Sequence, residues 1–231
     1  MDFILFLVII GIMLSIMTAA CVYIVNRYKT VGYAALLSFF IMLLVISQIF
    51  AARPAEFNLY LLTLTAPTAV IAYSFTAIVN DMINEIYGET CAHIAINIAL
   101  VTQVLMVILI YLASIVSPAI FFAHEAAWQE IFALSIRIVF ASWISFFVCQ
   151  HLDTWVFARL KERLPERLAV RGIASNVLNL TLDSVIFITI AFLGIMPILP
   201  LIIGQICMKN LLMLFGMPWF IAYKKKLASH E

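Results

Sequence analysis

Asp81 and Glu85 stand four residues apart in Thr68–Gly88, a stretch otherwise apolar enough to form a membrane helix, with Asn80 and Asn84 beside them. Residues at that spacing share one helix face. A charge at the centre of a membrane helix costs about 2.5–3.5 kcal/mol on insertion scales. The two carboxylates must therefore look into a protein interior or a wet cavity. A passive anchor has no use for them.

Further polar groups interrupt other apolar stretches. Arg137 and Asp153 fall in one span, with Gln150 one helical turn before Asp153. Arg137 and Asp153 are about 24 Å apart at helical rise, so their partners must come from other helices. Asn176, Asn179 and Asp183 form a stripe on one helix face, and Gln205, Lys209 and Asn210 follow in the last span. Six intramembrane charges left facing lipid would cost about 18 kcal/mol, more than the stability of a typical domain. They are expected to converge on the bundle interior.

The candidate residues for a small polar solute are thus Asp81, Glu85, Asn80, Asn84, Arg137, Gln150, Asp153, Asn176, Asn179, Asp183 and Lys209. A blander reading stands beside this one. Amides in membrane helices often only join helices, at about 0.6–2 kcal/mol each. Lys209 and Asp183 could form a purely structural ion pair. Glu85 and Asp153 lie near span ends and could reach the interface. His93, His124 and His151 lie at span ends and could be interfacial, with a proton relay as the second reading.

These residues sit in a chain of 231 residues that is 66% hydrophobic and 11% charged, with mean hydropathy +1.15. Soluble domains carry about 25% charged residues. The expected fold class is an all-α polytopic bundle with almost no mass outside the membrane. At about 20 apolar residues per span, seven spans are expected: 3–25, 31–51, 66–87, 92–115, 130–157, 173–195 and 199–223. The first is too long for a signal peptide and lacks a basic lead, so it reads as retained. Residues 52–65 are expected to form a short interfacial or re-entrant segment. Pro218 is expected to kink or end the last helix.

Charge sets the topology. Arg27 and Lys29 follow span 1. Arg159, Lys161, Arg163, Arg167 and Arg171 lie between spans 5 and 6, and Lys224, Lys225 and Lys226 follow span 7. Seven spans put all three basic regions on one side. The positive-inside rule then sets the N-terminus outside and the C-terminus in the cytoplasm.

Several chemistries lack their motifs. H-E-x-x-H, G-x-S-x-G and a Walker A sequence do not occur. Cys21, Cys91, Cys149 and Cys207 make no C-x-x-C, so neither a disulfide framework nor a metal site is expected. No enzyme activity, cofactor or nucleic-acid partner is expected.

The chain also resembles a known family. Asn80-Asp81-x3-Glu85-x-Tyr87-Gly88 and Arg137-x3-Ala141-Ser142 come first, then Asp153-x2-Val156-Phe157-x2-Leu160. Arg171-x3-Ser175-x7-Asp183-Ser184-x2-Phe187-x3-Ala191-Phe192-x-Gly194, Lys209 and Pro218 follow in the same order. Together they resemble the bacterial queuosine precursor transporters, also grouped among vitamin uptake transporters, over about residues 35–226. The resemblance implies a multi-pass inner-membrane importer of 7-deazapurine precursors. It also implies a six-helix core over 31–231, with residues 1–30 as an additional helix and basic loop.

The sequence departs from the family at three positions. Asn179-Leu180 replaces a Gly-Gln pair common in the family. Met213 replaces an acidic residue, and Ser74 replaces a proline. These changes bear on the substrate more than on the transporter class.

A deazaguanine edge offers two donors to a carboxylate such as Asp81, Glu85 or Asp183, while Asn176 and Asn179 could meet the carbonyl and pyrrole N–H. Tyr73, Phe75 or Phe187 could stack on the ring. Coupling to protons through a buried carboxylate and uncoupled import both fit. The competing readings are a substrate-binding subunit that needs ATPase partners, a membrane enzyme with an acid pair, and a structural subunit. The partners expected are the solute and the lipid bilayer, with a homo-oligomer left open.

Overall fold

The computed structural model describes residues 3–28, 31–51, 53–59, 63–132, 136–195 and 197–228. Lys29 of the first basic loop and part of the 52–65 segment lie outside them. Eight helices are present among the described residues: α1 (Phe3–Arg27), α2 (Gly32–Ala51), α3 (Val70–Tyr87), α4 (Glu89–Ile115), α5 (Glu125–Phe132), α6 (Ile136–Arg163), α7 (Leu168–Phe192) and α8 (Ile198–Ala228). Strands β1 (Pro54–Asn58) and β2 (Thr63–Pro67) lie between α2 and α3.

Long apolar runs bounded by charge or proline make the outer helices. Six helical stretches are long and apolar enough to cross a membrane: α1, α2, α4, α6 with α5, α7 and α8. The third expected span, α3, falls outside that group because four polar residues lower its hydropathy. It is enclosed by the others: every residue from Ala72 to Asn84 is buried. Its length, about 27 Å, still nearly matches the hydrocarbon core. A helix sheathed by α2, α4, α6, α7 and α8 needs no lipid-facing apolar surface. By contrast, α4 buries a narrow stripe of Ala92, Ala95, Ile96, Ala99 and Gln103 and turns its apolar remainder outward.

Residues 54–58 and 63–67 pair as an antiparallel ribbon, Pro54 opposite Pro67 and Phe57 opposite Leu64. The segment expected to be interfacial or re-entrant thus takes the form of a β-ribbon. The ribbon buries Phe57, Leu64 and Ala66 and packs on α8. Gly204 permits that approach, since a Cβ there would run into the Thr65 carbonyl. Gly88, at φ 89°, makes the turn from α3 into α4 that a side chain would strain.

Pro218 does not end the last helix; α8 runs through it to Ala228. The missing N–H costs one backbone bond. Burial of Met217 and Phe220 on either side keeps the helix in place.

Candidate functional site

The polar residues lie in three levels along the antiparallel helices α3 and α7. At one end, Glu85 is only 4% exposed and gathers cations from three helices. Arg171 of α7 donates from Nη2 to Glu85 Oε2 at 3.1 Å, Lys161 of α6 stands 3.5 Å away, and Lys224 of α8 bonds to Oε1. Lys161 also donates to the Glu85 carbonyl at 2.8 Å. Arg171 is buried beneath Glu85 and stacks on Phe157. The sequence reading placed Arg171 and Lys161 in a loop. In the structure α6 runs on to Arg163 and α7 starts at Leu168, so both residues belong to helices. Glu85 likewise does not reach the interface.

One turn further in, Asn176 Nδ2 donates to Asp81 Oδ2 at 2.5 Å and to the Gly172 carbonyl at 2.6 Å. Asn80 bonds the Thr154 hydroxyl at 2.8 Å and Asn84 the Thr154 carbonyl at 2.9 Å, joining α3 to α6. Asp153 is 1% exposed, not interfacial, and Ser175 and Asn179 face its carboxylate from α7. The bland reading of the amides as helix joints therefore holds for Asn80 and Asn84. Asn179 faces Asp153 across α7 and α6, but its amide makes no hydrogen bond of normal geometry among the described residues.

About two turns beyond lies the third level. Tyr73 Oη donates to Asp183 Oδ1 at 2.8 Å, and Lys209 of α8 bonds Asp183 Oδ2. The Lys209 ammonium sits 4.1 Å from the Tyr73 ring centre. These three residues form the floor of a cleft that also touches Pro67 and Ala69 at the ribbon end. Its walls are Ser47, Gln48, Ser142, Ser145, Phe187 and Gln205. Gln48 donates to Gln103 and Ser142, both at 2.6 Å, and Gln205 Oε1 has no hydrogen-bond partner among the described residues. The open volume is about 40 Å3, enough for a few waters but not a bicyclic base. Admission of a larger solute requires the walls to part.

The sequence-predicted residues thus do not meet in a single cavity. Asp183 and Lys209 form the cleft floor, whereas Gln150 is buried outside the cleft lining with no hydrogen-bond partner among the described residues. Asp81, Asp153, Asn176 and Asn179 lie below them, and Glu85 closes the basic end. Arg137 belongs to none of these levels. It is exposed and donates to the Ile190 and Leu193 carbonyls at 2.5 and 2.8 Å, capping the end of α7. Of the proposed stacking residues, Tyr73 and Phe187 border the cleft, whereas Phe75 is buried against Gly216. His93 and His151 pair with each other. Their Nδ1 atoms lie 2.6 Å apart between α4 and α6, so one ring donates and the other accepts.

Sequence reasoning missed Gln48 and the cations around Glu85. Gln48 was visible as an amide in the otherwise apolar second half of α2. The Glu85 cations had no such signal, because they lie where hydropathy places helix ends.

A family described as "Putative vitamin uptake transporter" matches residues 67–223, more than half of the chain. A protein of Bacillus subtilis (strain 168) named "Probable queuosine precursor transporter" is 27% identical over 173 residues, covering 73% of this chain and 76% of that protein. No solved structure matches the chain significantly.

Proposed function

The chain belongs to the vitamin uptake transporter family and is a multi-pass membrane transporter, and we propose that it imports a 7-deazapurine precursor of queuosine across a bacterial inner membrane. The observation that carries this reading is the Asp183–Lys209–Tyr73 cluster on the cleft floor. An ionised carboxylate has about four acceptor sites. Tyr73 and Lys209 use two of them, and one remains on each oxygen for the paired donors of a guanine-like edge. Lys209 then meets the ring carbonyl, Gln205 accepts from the pyrrole N–H, and Phe187 covers the ring face. The name of the Bacillus subtilis relative supports the same substrate class.

Positive-inside orientation sets the end bearing Lys161, Lys224 and Arg171 in the cytoplasm. The ribbon then faces outward beside the cleft. Substrate enters past the ribbon, and release inward requires the Glu85 cluster to open. The lid and the plug lie at opposite ends of the same helices, as alternating access requires.

The test is uptake of labelled deazaguanine-type base by purified protein in liposomes with no other protein. Saturable uptake competed by the unlabelled base is expected. Uptake that appears only when ATPase subunits are added would overturn the autonomous transporter. Indifference to deazapurines would overturn the substrate.

A further inference from the structure

The charge pattern between cleft and plug is unbalanced. Asp183 has Lys209 and Glu85 has Arg171, each pair buried. Asp81 and Asp153, both 1% exposed, form no ion pair among the described residues. Their helices meet at this level, since Asn80 and Asn84 of α3 both bond Thr154 of α6. Arg171 acts on Asp81 electrostatically but is engaged with Glu85.

Oxygen acceptors crowd the same place. Among the described residues Asp81 Oδ1, both Asp153 oxygens, Asn80 Oδ1 and Asn176 Oδ1 make no hydrogen bond of normal geometry, nor does the Asn179 amide that faces Asp153. An isolated pair of buried carboxylates in low dielectric is costly without positive charge beside it. The free atoms here are six acceptor oxygens against two donors, Asn179 Nδ2 and Arg171 Nε, and neither carboxylate has a cation of its own, an imbalance that calls for a cation. Among the described residues no group of three His, Cys, Asp or Glu side chains is placed to hold a metal ion. Carboxylate and amide oxygens suit a hard cation.

We infer that Asp81 and Asp153 hold one monovalent cation, a proton or a sodium ion, which crosses the membrane with the solute bound above it. The inference rests on the transport reading given above. The other charged or titratable groups facing this place are Glu85 and Arg171 below it, and Tyr73, Cys149, Asp183 and Lys209 above it. The site lies about two helical turns from the cleft floor and one turn from the plug. A cation there sits between solute and inner gate, where its charge offsets those of Asp81 and Asp153.

The experiment uses the full chain in liposomes with labelled deazaguanine-type base and an imposed inward gradient of either protons or sodium. With one cation per solute, a tenfold gradient of the coupling ion drives accumulation of up to about tenfold. Response to pH alone identifies the proton; response to sodium at constant pH identifies sodium. The ratio of gradient-driven accumulation to exchange falls to near one in both Asp81→Asn and Asp153→Asn. In Asp183→Asn, accumulation and exchange are lost together. Wild-type exchange that neither gradient can turn into accumulation overturns the cation site and leaves the substrate reading intact. Absence of any wild-type exchange overturns both.

Discussion

Lys209 on α8 and Asp183 on α7 form an ion pair in the interior of the bundle, each 2% exposed. This contact is compatible with a merely structural bridge, so stability and transport must be separated. Lys209→Met leaves Asp183 charged and unpaired, and is expected to lower stability by about 3–5 kcal/mol. Adding Asp183→Asn removes that charge and restores most of the melting temperature in detergent. The double variant should still fail to take up substrate. A double variant that transports like the wild type would make the pair structural only.

Glu85 is predicted to matter first for stability. Glu85→Gln leaves Arg171 buried without its carboxylate, a loss of about 3–5 kcal/mol. Lys224→Ala removes a partner that is 37% exposed and should cost no more than about 1 kcal/mol. Thermal melts of the two purified variants check this order. Equal losses would mean that the three cations share Glu85 evenly.

The ribbon is held to α8 through Gly204. Gly204→Ala drives a methyl group into the Thr65 carbonyl, and overpacking of this kind costs about 1–3 kcal/mol. Protease susceptibility of the ribbon in detergent should rise, while the Glu85 end stays protected. An unchanged digestion pattern would show that β2 is not held by this contact.

Much of this arrangement is written in the spacing of single helices. The Asn176–Asn179–Asp183 stripe and the Asp81–Glu85 pair point inward, and the apolar runs locate the lipid-facing helices. Register between helices is not local information, so the separation into three levels could not be read from the chain. Arg137 shows this limit: its position within an apolar stretch suggested an interior charge, yet its partners are backbone carbonyls of α7. Arg171 shows the converse, since hydropathy assigns a charge at a helix end to the loop while tertiary pairing with Glu85 buries it. The ribbon did carry a signal, the alternation of polar and apolar residues in Thr63-Leu64-Thr65-Ala66. A scan for twenty-residue apolar spans passes over strands of five.

The central claim is that Asp183 reads the donor edge of a deazaguanine-type base. Equilibrium binding of that labelled base to purified wild-type protein and to Asp183→Asn, both confirmed monodisperse, tests it most directly. Two hydrogen bonds to a charged acceptor become weaker and partly mismatched against an amide, so the variant's Kd is expected to rise about 10- to 100-fold. A variant that binds the base as tightly as the wild type would contradict the account.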